Sequence, residues 1–463
     1  MTMDSVDLYM LTFNCARIPV DIDLFASHFF DALPAASTTS ETSSPAPELI
    51  VLCLQEIAPV AYAFLGGSYL DYYFDIFHRV VDQAVAGKQA WGASYDILVR
   101  DNSGMTGLMV FARSDAVDRI AKIDSAQVGF GVQQMGNKGA VGARLGYAKD
   151  GRAENTVDLT FVAAHLAPME YAWEQRNKDW QTLVERLVFS REQSTKEQQG
   201  RRRNEAEAGA DSEESAALLP EEESSNGNGV FTPTTYVFLG GDLNYRTSNT
   251  SPLKEDHARF PRLNADPDSP QHYLQLLKGD QLLREMRSHR SFQGMTEAEI
   301  TFPPTYKYTS AARQAAREAA QSNAIQSQEW KWTSSRWPSW CDRILYLDTP
   351  SWMKGNRKVQ PHKYDALPLF PTSDHRAVAL SVTVPLDAIS VPQGGVNDAD
   401  VRLAAPFSVD PEWRSKRKSA RAKELVVGYL AFVSWTWEGN GLLLASILGI
   451  VGAWLALGSL LTT

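Results

Sequence analysis

Apolar runs that stop abruptly at a polar residue recur along this chain. Val6 to Phe13 alternates enough to predict a strand, and Asn14 stands at its end. Leu49 to Leu54 is continuously apolar, the pattern of a strand buried on both faces, and runs directly into Gln55 and Glu56. Tyr95–Val99 and Gly107–Phe111 read as paired strands, and Leu159–Ala164 delivers His165. Tyr236–Leu239 breaks at two glycines before Asp242 and Asn244, whose i, i+2 spacing on an extended segment points both side chains the same way. Asp342 and Arg343 precede the run Ile344–Leu347, and Asp374 and His375 precede Ala377–Val384. Each has an ordinary reading by itself, as a turn residue, a hydrogen-bonded histidine or a strand cap. A charge set flush against a buried strand is costly unless paired or metal-bound, which favours a functional reading of Glu56. Repeated so often, the placement predicts that these groups meet at one end of a sheet sandwich.

The segments between the strands differ in kind. Gly136–Asn137–Lys138–Gly139 is a glycine-flanked loop, and Arg176 with Asn177 lies on a polar, aromatic helix that includes Trp173 and Trp180. A helix is expected around His272 to Glu285. Prolines fix Phe302–Tyr308, which holds Tyr306 and Lys307. Ala311–Gln328 reads as an exposed helical insertion. From about Glu192 to Gly229 the chain is rich in Gln, Glu, Ser and Gly and nearly free of aromatics, which predicts a disordered insert.

Past Pro385 the composition loosens into a linker, about residues 389–424, in which Arg414–Lys423 holds six basic residues. Leu425–Trp437 then carries no charge over 13 residues, and Leu442–Leu461 none over 20. A helix needs about 17–25 apolar residues to cross a bilayer, so the second segment suffices and the first is short. Residues 425–463 are therefore expected to anchor the protein, either as a hairpin turning at Gly439–Gly441 or as an interfacial helix followed by one span. The basic cluster would face the cytosol and anionic headgroups.

At 463 residues the chain suits one large domain with extras, or two domains, and its net charge of −10 argues against a nucleic-acid binder. Cys15, Cys53 and Cys341 show no metal spacing and sit in apolar surroundings, as reduced, buried thiols would. Met1–Tyr9 lacks the basic start of a secretory signal. Carboxylates, amides and imidazoles at strand ends suit metal-assisted phosphoryl hydrolysis. Glu56 supplies a hard oxygen for Mg²⁺. Asp242 can orient or deprotonate an attacking water, while Asn14, His165 and Asn244 could hold phosphoryl oxygens. His375 beside a carboxylate would stay protonated. No serine or cysteine has the flanking context of a nucleophile, which favours direct attack by water.

The ordered segments Leu54–Ile57, Gly136–Val141, His165–Ala167 with Arg176–Asn177, Gly241–Arg246, Pro304–Lys307, Pro338–Leu345 and Ser373–Arg376 resemble the inositol polyphosphate 5-phosphatase family, within the DNase-I-like endonuclease/exonuclease/phosphatase fold. The likeness spans roughly Val6 to Val384, and the expected catalytic domain is residues 1–388. It implies a four-layered α/β sandwich of two mixed sheets flanked by helices. It also implies Mg²⁺ on Glu56 with Asn14 beside it, and Asp242 positioning the water. Asn244 and His165 would hold the scissile phosphate, His375 would pair with Asp342, and Asp374 would lie close to the metal. Tyr306, Lys307 and Arg336 match positions that recognise the neighbouring 4-phosphate; Lys138, on the loop with Asn137, and Arg176 would reach the 1-phosphate. Three positions depart from the pattern: Phe13 precedes Asn14 where tryptophan is usual, Pro168 replaces an alanine, and Ser334 stands where relatives often carry lysine.

These readings converge on a tail-anchored, fungal-type, Mg²⁺-dependent phosphatidylinositol 4,5-bisphosphate 5-phosphatase. It would be monomeric, bind a phosphoinositide headgroup and no nucleic acid, and sit on the cytosolic face of the endoplasmic reticulum, with the plasma membrane as the weaker alternative. A neutral sphingomyelinase-like phosphodiesterase would not need Tyr306, Lys307 and Arg336. A non-catalytic phosphoinositide-binding membrane tether would not need the full catalytic set.

Overall fold

The computed structural model describes residues 5–34, 45–149, 156–190, 228–322, 330–353, 357–389 and 400–461. Two six-stranded sheets face each other at its centre. The first runs, edge to edge, β11 (Gln360–Leu369), β12 (Arg376–Pro385), β1 (Ser5–Asn14), β2 (Leu49–Gln55), β4 (Thr106–Arg113), β3 (Tyr95–Ser103). The second runs β5 (Ile120–Gly129), β6 (Gly139–Ala148), β7 (Thr156–His165), β8 (Thr235–Asp242), β10 (Asp342–Tyr346), β9 (Thr296–Glu297). Both are mixed, as expected: β1–β2 and β7–β8 are parallel, and the other pairs are antiparallel.

The continuous apolar runs follow from burial on both faces. Leu8 and Met10 of β1, with Val51 and Cys53 of β2, turn inward against Phe161 and Phe238 of the second sheet. Tyr9, Leu11 and Phe13 turn outward, against Phe25 of the helix Ile22–His28, Phe29 at its C-terminal end and Phe74 of the helix Asp71–Ala86. Trp180 and Leu183, on the helix Trp173–Arg186, cover the outer face of the second sheet. Helix, sheet, sheet and helix make four layers, and the three cysteines are buried and free.

Each sheet has its parallel pair near the middle, and register brings the pair's polar ends side by side. Asn14 pairs with Gln55, the residue before Glu56, and His165 pairs with Asp242. The antiparallel neighbours β10 and β12 start where those strands stop, so Asp342 lies opposite Asp242 and His375 directly precedes β12. Polar ends of six strands, far apart in sequence, therefore share one end of the sandwich. The two glycines before Asp242 do not break β8. They allow close approach: a Cβ on Gly241 would lie 2.0 Å from the Ala164 carbonyl oxygen, and one on Gly240 would lie 2.9 Å from Met10 Cε.

Several expectations need correction. The helix around His272–Glu285 is two short helices, Tyr273–Leu277 and Gln281–Arg287, separated at Gly279, with the Asp280 side chain capping the second. The insertion forms the helix Ser310–Ser322 and is not wholly exposed, because Ala312 and Ala316 are buried and Ala312 packs with Tyr308 and Leu369. Its continuation over 323–329, and residues 192–227 of the expected disordered insert, lie outside the described residues.

The basic cluster expected in a linker instead lies on a 23-residue helix, Trp413–Trp435, docked on the rest of the fold through buried Ala420, Glu424, Gly428 and Ala431. The chain turns at Thr436, not at Gly439–Gly441. Thr436 Oγ1 accepts the Gly439 amide at 3.0 Å, and the helix Trp437–Leu461 starts before the glycines. A Cβ on Gly439 would fall 2.0 Å from the Phe432 carbonyl oxygen, so glycine lets the two helices meet closely. Among the described residues no helix is long and apolar enough to cross a membrane, so the span expected over Leu442–Leu461 has no support there.

Candidate active site

The strand ends open into a cavity of about 360 Å³. Asn14, Glu56, Lys138, His165, Asp242, Asn244, Tyr306, Lys307, Asp374 and His375, all singled out in the sequence, line it. Asp242 is the hub. Its Oδ2 accepts Asn14 Nδ2 at 2.9 Å and lies 3.2 Å from His165 Nε2 and 3.9 Å from His375 Nε2, while its Oδ1 accepts the Asn244 amide at 3.1 Å. Burial pushes this carboxyl up, but His165, His375 and Lys138 together hold it well below the usual carboxylate range. It stays ionised. Asn244, at φ +57°, donates Nδ2 to the Leu166 carbonyl at 3.1 Å, and Glu56 also has positive φ, +47°. Two non-glycine residues in left-handed backbone mark strain held at the site.

His375 and Asp342 form a second unit. His375 Nδ1 lies 2.9 Å from Asp342 Oδ2, which also accepts Thr305 Oγ1 at 2.7 Å. Burial disfavours the charged ring, yet Asp342 and Asp242 outweigh it and raise His375 to about 9. Burial raises Asp342 as well. His165 shifts the other way: burial and the neighbouring Lys138 ammonium lower it, against the pull of Asp242. The two imidazoles thus shift in opposite directions, His165 with a cation as well as an anion beside it and His375 between two anions. Lys138 Nζ contacts His165 Nε2 directly.

On the other wall Lys307 Nζ pairs with Asp374 Oδ2 at 2.8 Å and lies 5.3 Å from the centre of the Tyr306 ring. Burial opposes the Asp374 charge, but His375 and Lys307 keep it below the ordinary range. Tyr306 packs on His375, ring centres 4.4 Å apart, and carries the Arg246 guanidinium over its other contact, 4.5 Å from its centre.

The whole arrangement occupies a single fold-level unit that a family model also describes. The model of Endonuclease/Exonuclease/phosphatase family 2 matches residues 11–381. The chain belongs to that family. As a member of Endonuclease/Exonuclease/phosphatase family 2 it is similar to type I inositol polyphosphate 5-phosphatase 13 of Arabidopsis thaliana, 33% identical over 53% of this chain and 19% of that protein. It is 26% identical to inositol-1,4,5-trisphosphate 5-phosphatase 1 of Schizosaccharomyces pombe over 64% of this chain and 21% of that protein. The chain thus spans about a fifth of the length of these curated relatives. In fold it resembles the inositol polyphosphate 5-phosphatase domain of a synaptojanin, crystallised with inositol (1,4)-bisphosphate and calcium. The TM-score is 0.54, with 22% identity, over 91% of this chain and 90% of that one.

Three of the expected substrate-binding residues do not reach the cavity of this family member. Arg176 is fully buried: Nη1 donates to the Ala167 and Met169 carbonyls at 3.1 and 2.7 Å, and Nη2 donates to Gln281 Oε1 at 2.5 Å. It staples the loop after β7 to the helix Gln281–Arg287, and burial lowers its pKa to about 10. Arg336 reaches the Ser335 carbonyl and Met169 Sδ, with Glu170 Oε2 at 3.9 Å. Asn137 turns toward Gly131.

Three arginines that line the cavity were not singled out. Arg17 pairs with Glu56 at 3.0 Å. Arg246 is buried beneath Tyr306, with Nη1 lacking a hydrogen-bond partner. Arg313 comes from the inserted helix, and its Nε also lacks a partner. Arg246 lies inside the motif Gly241–Arg246 and was legible there. Arg313 carried no local signal, because only the fold turns that helix toward the site.

The donors also suit a hard divalent cation. Asp242, Asp342 and His375 each bring one ligand atom within 4.8 Å of the others, but a protonated His375 cannot ligate, and its Nδ1–H is already given to Asp342. Glu56, Asn14 and Asp242 line the cavity and carry oxygens, the donor type such a cation takes, with Glu56 Oε2 held by Arg17 at 3.0 Å and Asn14 Oδ1 accepting the Ala16 amide at 3.0 Å.

Proposed function

We propose that this protein is a Mg²⁺-dependent phosphoinositide 5-phosphatase that converts phosphatidylinositol 4,5-bisphosphate to the 4-phosphate by direct attack of water. One observation carries the reading. An ionised Asp242, with His165 beside it, and a protonated His375 share one cavity with Lys138, Lys307, Arg246 and Arg313. Such a pocket in a chain of net charge −10 is a local anion trap.

Glu56 and Asn14 would hold Mg²⁺, which when bound offsets charge on the phosphoryl oxygens. Asp242, kept ionised, orients the water by accepting its hydrogen bond. His375 presents a cationic donor, and Asn244 and His165 hold the other oxygens where charge develops. Tyr306 and Lys307, with Arg313 nearby, would grip an adjacent phosphate. A tether that only binds headgroups has no use for the Asp342–His375 unit, which favours catalysis.

The same proposal extends to location and organisation. Residues 1–388 supply every residue that lines the cavity, the protein acts as a monomer, and the tail attaches it to the cytosolic face of the endoplasmic reticulum. Exposed Val426, Tyr429, Leu430 and Trp435, on the helix that carries the basic cluster, support a lipid-facing surface.

The test is phosphate release by the full chain from vesicles containing phosphatidylinositol 4,5-bisphosphate, and in parallel from soluble inositol 1,4,5-trisphosphate. Sphingomyelin vesicles serve as the comparison. Mg²⁺-dependent release from either inositol substrate, lost in Asp242→Asn, supports the reading; binding without release refutes it.

A further inference from the structure

We infer that the helix Trp413–Trp435 is a positioning element for the site: through Glu424 it fixes the loop that presents Lys138, and so sets turnover as well as attachment. The inference rests on the phosphatase reading for what Lys138 does, and on geometry for how it is held.

Glu424 is 6% exposed, although it lies on a helix that reads from sequence as a basic linker entering a membrane anchor. Its Oε1 accepts the Gly136 amide at 2.7 Å, across 288 residues of sequence, and its Oε2 lies 3.2 Å from Arg421 Nη1. Arg421 in turn donates to the carbonyls of Phe64 and Leu65 at 2.6 and 2.7 Å, the end of the helix Val60–Leu65. A buried carboxylate persists only when its partners are supplied, and here they are a guanidinium and one loop amide. An anchor alone needs no such group.

The Gly136 peptide passes the constraint inward. Its carbonyl accepts the Met105 amide at 2.9 Å, and the Met105 carbonyl accepts the Ile57 amide at 3.2 Å, next to Glu56. Two residues beyond Gly136, Lys138 Nζ meets His165 Nε2. Gly136 also crosses Gly104 backbone to backbone, where a Cβ on Gly104 would lie 2.3 Å from the Gly136 oxygen. At the loop tip Lys423 Nζ reaches Gln133 Oε1 at 3.2 Å, and Gln133 and Gln134 hold φ of +57° and +65°. A loop with strained backbone keeps its shape only while its surroundings hold it. Without Glu424 the Gly136 amide is an unpaired buried donor, and the loop relaxes to satisfy it.

The test uses full-length protein and soluble inositol 1,4,5-trisphosphate, a substrate that needs no bilayer. Glu424→Ala is expected to lower kcat/KM roughly tenfold, with part of the loss as a raised KM, because a displaced cation weakens binding as well as turnover. Glu424→Gln keeps the acceptor and is expected to stay within about twofold of wild type. Hydrogen exchange at residues 131–139 should quicken in the alanine variant, while β1 and β2 stay protected. If Glu424→Ala fails to fold, Glu424→Asp, which withdraws the acceptor by one methylene, is read against the glutamine variant instead. Unchanged exchange in the loop together with wild-type turnover of the soluble substrate would overturn the inference. A wild-type protein that hydrolyses neither substrate would sink the phosphatase reading instead, and exchange alone would then decide whether Glu424 holds the loop.

Discussion

Asp242 and Asp342 face each other in register on adjacent antiparallel strands, and the proton of His375 is what lets both remain buried there. Two carboxylates so placed repel unless a cation lies between them. The histidine is that cation, with Nδ1 on Asp342 and Nε2 toward Asp242.

This relationship fixes the sign of a pH effect. His375 is raised to about 9, above its ordinary value near 6.5, so its charge is present below that range and lost as pH rises through about 9. Turnover should fall as pH passes about 9, whereas the pair's contribution to stability is full below about 6.5 and is lost between about 6.5 and 9. Asp342→Asn removes the anion that raises the histidine and should move the alkaline limb of the rate profile to lower pH. An unmoved limb would assign that limb to another group.

Asp242→Asn removes the ionised hub while keeping its size. Turnover is expected to fall by roughly 10²–10⁴-fold, with substrate binding retained or tightened, because the pocket loses its central negative charge. Single-turnover kinetics and binding measured on the same variant separate the two effects.

Arg313 and Arg336 give opposite expectations from structure and from resemblance. Arg313 lines the cavity with an unpaired Nε, whereas Arg336 is engaged outside it. Arg313→Ala should raise KM for a substrate with adjacent phosphates about tenfold, the scale of one hydrogen bond to a charged group. Arg336→Ala should leave KM within about twofold. The reverse pattern would restore the assignment drawn from the motif.

Gly241→Ala tests the close approach behind the site. The added methyl would overlap the Ala164 carbonyl, forcing β7 and β8 apart where His165 pairs with Asp242. A loss of about 1–3 kcal/mol is expected in chemical denaturation, with a larger proportional loss of activity.

The strand ends were legible in sequence because each is a local event, an apolar run meeting a polar residue, and Asn14, Glu56, His165 and Asp242 needed only the sheets to bring them together. Arg176 misled because a motif position does not reveal burial: its guanidinium is spent on the Ala167 and Met169 carbonyls and Gln281. Arg313 and Glu424 were not legible for the converse reason. Each acts across a packing contact between segments that look like an exposed insertion and a linker until the fold docks them. The same docking explains the tail, where a stripe of Ala420, Glu424, Gly428 and Ala431 hides inside a sequence that reads as basic and then apolar.

The most direct measurement is the position of the phosphate removed. Incubating the full chain with soluble inositol 1,4,5-trisphosphate and Mg²⁺, and following the product by phosphorus NMR, reads it without reference to a membrane. The expected products are inositol 1,4-bisphosphate and inorganic phosphate, formed only with the divalent cation present and not by Asp242→Asn. Loss of the 1- or 4-phosphate, or no product from folded protein on either this substrate or its lipid counterpart, would contradict it.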